Sequence, residues 1–245
     1  MRESLRDATA NHRSSSLVLR DPFVKIPRHW FVATTNAGKL REIVPMIEEY
    51  FSNGGLSGLR LSMEGRAARD ADETETTFAG NALIKARALA QELLQEGRSD
   101  FCVLADDSGL AVDALGGRPG VHSARYAGDH APSDANVRKL LQELAPFPSF
   151  AQRTSRYHCA LALVHSDSER GVAEHVAEGT CEGCIGTEPR GDSGFGYDPV
   201  FVVTDADALT HGLRPGLTMS EIDYAVKNRF SHRRRAFEAL RQKVF

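Results

Sequence analysis

Apolar positions along this chain change period several times, and each change marks an element. His29–Thr35 reads as a short buried strand. Leu40, Ile43, Val44 and Ile47 then recur at helical spacing, which predicts a helix over Leu40–Phe51. Asn53–Gly58 is a glycine-rich turn, followed by a short strand around Leu59–Ser62. Thr77–Gly97 carries the strongest helical pattern, with Thr77 as the cap, alanines and leucines inside, and Gly97 as the stop. Phe101–Ala105 is a short apolar strand that runs into Asp106-Asp107-Ser108-Gly109. Ser133–Leu144 forms a helix with a serine cap, stopped by Pro146. Tyr157–His165 and Gly171–Thr180 predict a hairpin across the polar turn Ser166–Arg170, and Phe201–Val203 is one more strand. Thr218-Met219-Ser220-Glu221 is a capping box opening the last helical region. Strands and helices alternate first and an antiparallel pair follows, so the fold class is α/β with a mixed sheet.

Length and charge narrow the picture. At 245 residues the chain fits one large domain, placed over 29–245, with no internal repeat. Residues 1–28 lack the apolar stretch of a secretory signal and read as a mobile extension. The longest apolar run, Cys159–Val164, is far short of the roughly 20 residues a membrane span needs, so no membrane association is expected. Thirty basic and 33 acidic residues give a net charge of −3, which argues against a partner such as a nucleic-acid polymer. The stretch Lys227–Lys243 is locally basic, holding Lys227, Arg229, Arg233, Arg234, Arg235, Arg241 and Lys243 against Glu238. Cys102, Cys159, Cys181 and Cys184 form no disulfide framework and read as reduced thiols of a cytoplasmic protein.

Several short segments could carry chemistry. Thr34-Thr35-Asn36-Ala37-Gly38-Lys39 links a strand to a helix, where free amides and the positive end of the helix dipole can cradle an anion. It is not a P-loop, since Leu40 follows Lys39; an ordinary turn with a solvated lysine remains open. Asp106 and Asp107 stand at the carboxyl end of an apolar strand, where α/β sheets bind ligands. Carboxylates there suit Mg²⁺ or a general base for water, and a plain Asp turn is the alternative. Side chains of neighbouring residues on an extended strand point to opposite sides, so one of the pair faces a given site. Asp70, Asp72, Glu73 and Glu75 precede the Thr77 helix, either favouring its N-terminus or adding a ligand to an Asp107 metal site. In Gly194-Phe195-Gly196-Tyr197-Asp198 two aromatics sit among glycines, as in a loop that stacks on a base. Ser231-His232-Arg233 opens a basic region that could equally be a solvated helix face.

Together these blocks resemble the inosine triphosphate pyrophosphatase family, whose members are also described as dITP/XTP pyrophosphatases. They stand in the family's order: Thr34-x-Asn36-x-Gly38-Lys39; Glu73-Thr74-x-x-Thr77-Phe78-x-x-Asn81-Ala82-x-x-Lys85-Ala86; Ala105 to Leu110; Leu115-Gly116-Gly117-x-Pro119-Gly120-Val121-x-Ser123-Ala124-Arg125-Tyr126; Gly194 to Pro199; and Lys227-x-x-x-Ser231-His232-Arg233. The resemblance runs from about Phe31 to about Leu240. It implies an elongated mixed sheet in two lobes with a cleft between them. It also implies a Mg²⁺-dependent enzyme that cleaves deaminated purine nucleoside triphosphates (ITP, dITP, XTP) to monophosphate and pyrophosphate, cleansing the nucleotide pool, and that usually forms a homodimer. By position, Asp107 matches the catalytic base and metal ligand, and Glu73 its metal partner. Thr34, Thr35, Asn36, Ala37, Gly38, Lys39 and Lys85 match triphosphate contacts. Ser108, Phe195, Gly196, Tyr197, Asp198, Lys227, His232 and Arg233 match the remaining substrate contacts, with His232 and Arg233 as donors to the purine and Phe195 as stacking platform. Thr35 departs from the family's more usual glycine, and Cys181-x-x-Cys184 has no family counterpart. A catalytically silent nucleotide-binding protein on the same scaffold, or a pyrophosphatase for modified pyrimidine triphosphates, is the alternative.

Overall fold

The computed structural model describes residues 29–53, 62–67 and 71–244. The expected extension over 1–28, positions 54–58 of the expected turn, positions 59–61 of the second strand and Asp70 lie outside the described residues. A six-stranded mixed sheet forms the centre, with order β2-β1-β3-β4-β5-β6. Its strands are β1 (His29–Val32), β2 (Ser62–Gly65), β3 (Phe101–Val112), β4 (Thr154–Asp167), β5 (Gly171–Ile185) and β6 (Phe201–Val203). β1 pairs in parallel with β2 and β3, and the β3-β4-β5-β6 half is antiparallel. The helices are α1 (Ala37–Asn53), α2 (Phe78–Gln95), α3 (Ser133–Glu143), α4 (Ala206–Thr210), α5 (Tyr224–Phe230) and α6 (His232–Val244).

Strand alternation sorts the core into two faces. Trp30, Val32, Cys102, Leu104, Cys159, Leu161 and Leu163 pack against Ile43, Met46 and Ile47 of α1 and Phe237 and Leu240 of α6. Phe31, Ala33, Phe101, Val103, Ala105, Ala160 and Ala162 meet Ala82, Ala86, Leu89 and Leu93 of α2. The small alanines on both sides let α2 lie close to the sheet. A third cluster, including Leu110, Val112, Tyr157, Tyr197, Phe201, Met219 and Phe230, fills the far end of the long strands.

Several boundaries differ from expectation. β3 does not stop at Ala105: it runs through Asp106-Asp107-Ser108-Gly109 to Val112. β4 supplies an antiparallel partner over that whole length, down to Val112↔Ser155, so the carboxylates stand in mid-strand and not in a terminal turn. β1 is shorter than His29–Thr35, because the Thr34 amide turns back to the carbonyl of Val32. The hairpin strands β4 and β5 are both longer than expected. Ser133 is the first residue of α3 and not its cap; Pro132 holds the cap position without a side-chain bond. The Thr218 box closes a 3-10 turn, Met219–Glu221, while Asp223 caps α5 by accepting from the Ala225 amide. The Thr77 cap stands as expected, accepting from the Gly80 amide.

Two of these boundaries create the site. β1 pairs with β3 only as far as Leu104. Farther along the same edge, the segment after β3 folds back: the Val112 amide donates to the Arg118 carbonyl, and the Leu110 amide to Ser123 Oγ. Among the described residues no strand pairs with this edge between Ala105 and Gly109. A gap in an otherwise paired sheet is therefore where Asp106 and Asp107 lie.

The close packing of α6 on β5 depends on Gly179, where a Cβ would collide with the Ala236 amide and the His232 carbonyl. Backbone cannot swing aside as a flexible side chain can. Gly179→Ala should therefore lower unfolding stability by about 1–3 kcal/mol, the usual cost of overpacking, as read from the urea midpoint. A wild-type midpoint would show that α6 is not seated this tightly.

Candidate active site

Alternation along β3 sends its two carboxylates to opposite faces of the sheet. Asp107 faces α2, where Lys85 Nζ donates to its Oδ1 at 2.9 Å and to Glu73 Oε1 at 3.1 Å. Asn81, one turn before Lys85 on the same helix, reaches Asp107 Oδ2 at 3.4 Å while its own oxygen accepts from the Glu75 amide. Asn81 thereby ties the acidic segment before α2 to β3. Burial raises the pKa of Asp107, and Lys85 only partly offsets it. Lys85 is pushed down by burial but more strongly up by Asp107 and Glu73, so it stays protonated.

Among the described residues no group of three or more His, Cys, Asp or Glu side chains is arranged for a metal. Mg²⁺ commonly takes one or two protein carboxylates and completes its shell with waters and substrate phosphates. Asp107 and Glu73 converge on one cationic nitrogen, so this donor set fits such an ion.

Asp106 faces α1 and α6. Lys39 Nζ pairs with its Oδ1, Arg233 Nε donates to Oδ2 at 2.8 Å, and Ser108 Oγ and Cys159 Sγ also contact it. Burial alone would raise its pKa, but Arg233 and Lys39 hold it well below the usual carboxylate range. Lys39 lies in the first turn of α1, and Asn36 Oδ1 caps that helix by accepting from the amides of Gly38 and Lys39. The expected cradle of free amides is thus partly occupied by the loop's own asparagine; Thr34 Oγ1 in turn accepts from the Asn36 amide. Thr35, Asn36 and Ala37 are exposed at the mouth. Gly38 lies so near the Phe195 ring that a Cβ there would come within 2.6 Å of it.

Behind Phe195 lies a second charge cluster. Glu42, fully buried on α1, pairs with Lys227 at 2.7 Å and with Arg233 Nη1. Lys227 also pairs with Asp198, which accepts from the Tyr157 hydroxyl and from the Phe195 amide. Burial works to raise the Glu42 carboxyl, yet Arg233 and Lys227 outweigh it and hold it at about 2. His232 stacks on Tyr157 with ring centroids 4.7 Å apart, and burial together with Arg233 drives its pKa well below the usual value, so it is a neutral imidazole. The Lys227 ammonium lies 5.3 Å and the Arg233 guanidinium 5.5 Å from the Phe195 ring.

The expected residues therefore assemble around one gap, with differences of detail. Arg233 is not a free donor: Glu42, Asp106 and Ser108 accept from its Nη1, Nε and Nη2. The Tyr197 ring turns away from the cleft into the far core, and its hydroxyl donates to the Ser123 carbonyl. Glu42, Asp106, Asn81 and Tyr157 join the site beyond the expected set. Glu42 shows in the sequence only as a charge one turn before Met46 on the packed face of α1, and Tyr157 only as an aromatic in a strand.

The Ham1 family pattern matches residues 30–243. A Halalkalibacterium halodurans protein named dITP/XTP pyrophosphatase is 42% identical over 213 residues, covering 87% of this chain and 97% of its own. A Geobacillus kaustophilus protein of the same name is 44% identical over 209 residues, covering 85% and 90%. Among solved structures, a HAM1 protein from Coxiella burnetii superposes with a TM-score of 0.66 at 34% identity, covering 88% of this chain and 98% of its own. A nucleoside-triphosphatase / dITP/XTP pyrophosphatase from Mycobacterium abscessus gives 0.59 at 36% identity, covering 86% and 97%.

The depressed Glu42 pKa makes a stability prediction. Its contribution is present above about pH 4.5, its ordinary value, and is lost as pH falls towards about 2. Glu42→Gln leaves Lys227 and Arg233 without a full counter-charge and should cost about 3–5 kcal/mol near neutral pH. The variant's unfolding free energy should also change less than that of wild type between pH 4.5 and 2. Parallel pH curves for the two proteins would remove Glu42 from this role.

Proposed function

This chain belongs to the Ham1 family, and we infer that it is a nucleoside triphosphate pyrophosphatase hydrolysing deaminated purine triphosphates, dITP and XTP among them, to monophosphate and pyrophosphate. The relatives' shared name supports the substrate class and lends nothing to a silent binder or to a pyrimidine-directed enzyme. The observation that carries the chemistry is the buried Asp107 carboxylate in the β3 gap, held by Lys85 and Asn81.

Asp107 serves as the base. Its carboxylate, buried at the gap, can accept a proton from an attacking water. Lys39 and Lys85 present two ammonium groups from opposite faces of β3, one held by Asp106 and one by Asp107. A triphosphate entering the gap meets both, and its charge competes with the carboxylates for them. The exposed residues Thr35, Asn36 and Ala37 add backbone and hydroxyl groups at the mouth. Asp107 and Glu73 are the residues that would hold Mg²⁺, which when bound neutralises charge developing on the phosphates.

Base choice follows from donor chemistry. A 6-oxo purine can accept from the Lys227 ammonium beside Phe195, whereas the 6-amino group of adenine is itself a donor. A buried donor left unpaired costs about 1–3 kcal/mol, which is the discrimination such a contact supplies. His232, being neutral, adds no charge there.

We further read the enzyme as a homodimer acting on free nucleotides in the cytoplasm. The four cysteines are buried and unbridged, which suits a reducing compartment. Among the described residues no helix is long and apolar enough to cross a membrane. Light scattering at micromolar concentration should give twice the chain mass; the mass of a single chain would refute the dimer.

Pyrophosphate release measured with ITP, XTP, dITP and the four ordinary triphosphates should favour the three deaminated purines and stop with excess chelator. A preference for ATP, or full turnover in chelator, would overturn the substrate class or the metal respectively. Asp107→Asn keeps the shape but loses the base, worth roughly 10²–10⁴-fold, and should lower kcat by about a thousandfold with circular dichroism unchanged. A fall of less than about tenfold would move the base elsewhere.

A further inference from the structure

The motif Leu115–Tyr126 supplies none of the groups assigned to the reaction, yet one of its residues touches both halves of the site. Ser123, in the 3-10 turn Gly120–Arg125, is buried. Its hydroxyl accepts from the Leu110 amide at 2.8 Å, three residues along β3 from Asp107, and donates to the Gly120 carbonyl at 2.6 Å. Its carbonyl accepts from the Tyr197 hydroxyl at 2.9 Å. Tyr197 follows Phe195 by two residues in the same loop, and it is only 4% exposed. Gly109 permits this approach, since a Cβ there would strike Ser123 Oγ and the Gly120 carbonyl. The turn is itself anchored to α3, where Asn136 accepts from the Ala127 amide and donates to the Ala124 carbonyl.

We propose that Ser123 and Tyr197 are positioning residues that pin the base-side loop to the catalytic strand, and thereby set the preference for deaminated purines. The inference rests on the pyrophosphatase reading above. Asp198 ties the loop to Lys227 and to the Phe195 amide; the Tyr197 hydroxyl, from the residue before it, ties the loop to Ser123. A phenylalanine at 197 would fill the same core, so the hydroxyl contributes direction and not volume. With that bond gone, only Asp198 still holds the Phe195 backbone, and the ring is placed less tightly beside Lys227 and Arg233. The base is then held less selectively while Asp107, Lys85 and Lys39 keep their own partners.

Kinetics with ITP and ATP test the pin. Tyr197→Phe should raise KM for ITP roughly tenfold, the usual order for losing one buried polar contact, with kcat within about twofold and ATP little affected. Ser123→Ala should move the ITP-to-ATP ratio the same way. In a double-mutant cycle, adding Tyr197→Phe to Phe195→Ala should cost nothing further, because the ring it positions has gone. Additive losses, or an equal fall in kcat for both triphosphates with a lower melting temperature, would reduce the pair to a structural role and overturn the inference. A wild-type enzyme without an ITP preference would instead sink the underlying reading, and the inference with it.

Discussion

Charge taken out of water and paired inside the protein is the constraint from which the site follows. Glu42, Asp106 and Asp198 are each at most 2% exposed, and each meets one or more of Lys39, Lys227 and Arg233. An isolated buried ion would cost several kcal/mol, and pairing returns that only when geometry and hydrogen bonds are good. The result is an alternating chain running from Lys39 through Asp106, Arg233, Glu42 and Lys227 to Asp198. It links the Thr34–Lys39 loop to the Gly194–Asp198 loop, so neither can shift without exposing a charge to a poor partner. Such a cluster adds little net stability over an apolar core of the same volume. Its effect is to fix where cations stand before substrate arrives, so that less reorganisation is needed during the reaction.

Sheet topology decides where that chain opens to solvent. β1 ends at Val32 while β3 continues to Val112, and the turn containing Ser123 covers the edge again only at Leu110. The intervening residues include both carboxylates of the Asp106-Asp107 pair. Helix α2 delivers Asn81 and Lys85 to one face; α1 and α6 deliver Lys39, Glu42 and Arg233 to the other. Strand alternation keeps the two sets apart. A lysine therefore approaches the gap from each side, which suits a substrate carrying several negative charges.

Much of this was legible in the chain itself. The α/β class, α1, α2 and the hairpin followed from apolar period and caps, because those signals are local. The gap residues Asp107, Lys85 and Lys39 followed from ordered motifs, and the Ham1 relationship bears out the family those motifs resembled. Element ends were less well served. The Asp-Asp-Ser-Gly run reads locally as a turn, yet β4 offers it a ladder for its full length and buried cations neutralise its charges.

Sequence by itself thus determined the class, the main helices and the residues that meet at the gap, since period, capping and motif order are all short-range properties. The partnerships came only with the tertiary fold. Glu42 meets Arg233 across 191 positions and Tyr197 meets Ser123 across 74, separations over which no local pattern reports contact. Arg233, Arg234 and Arg235 look alike in the chain, but packing buries the first against Glu42 and Asp106, gives the second to Glu49 and Glu238, and the third to Asp205. Which charge may be buried depends on what the rest of the fold sets opposite it, because a buried charge is tolerable only where its counter-charge is already in place.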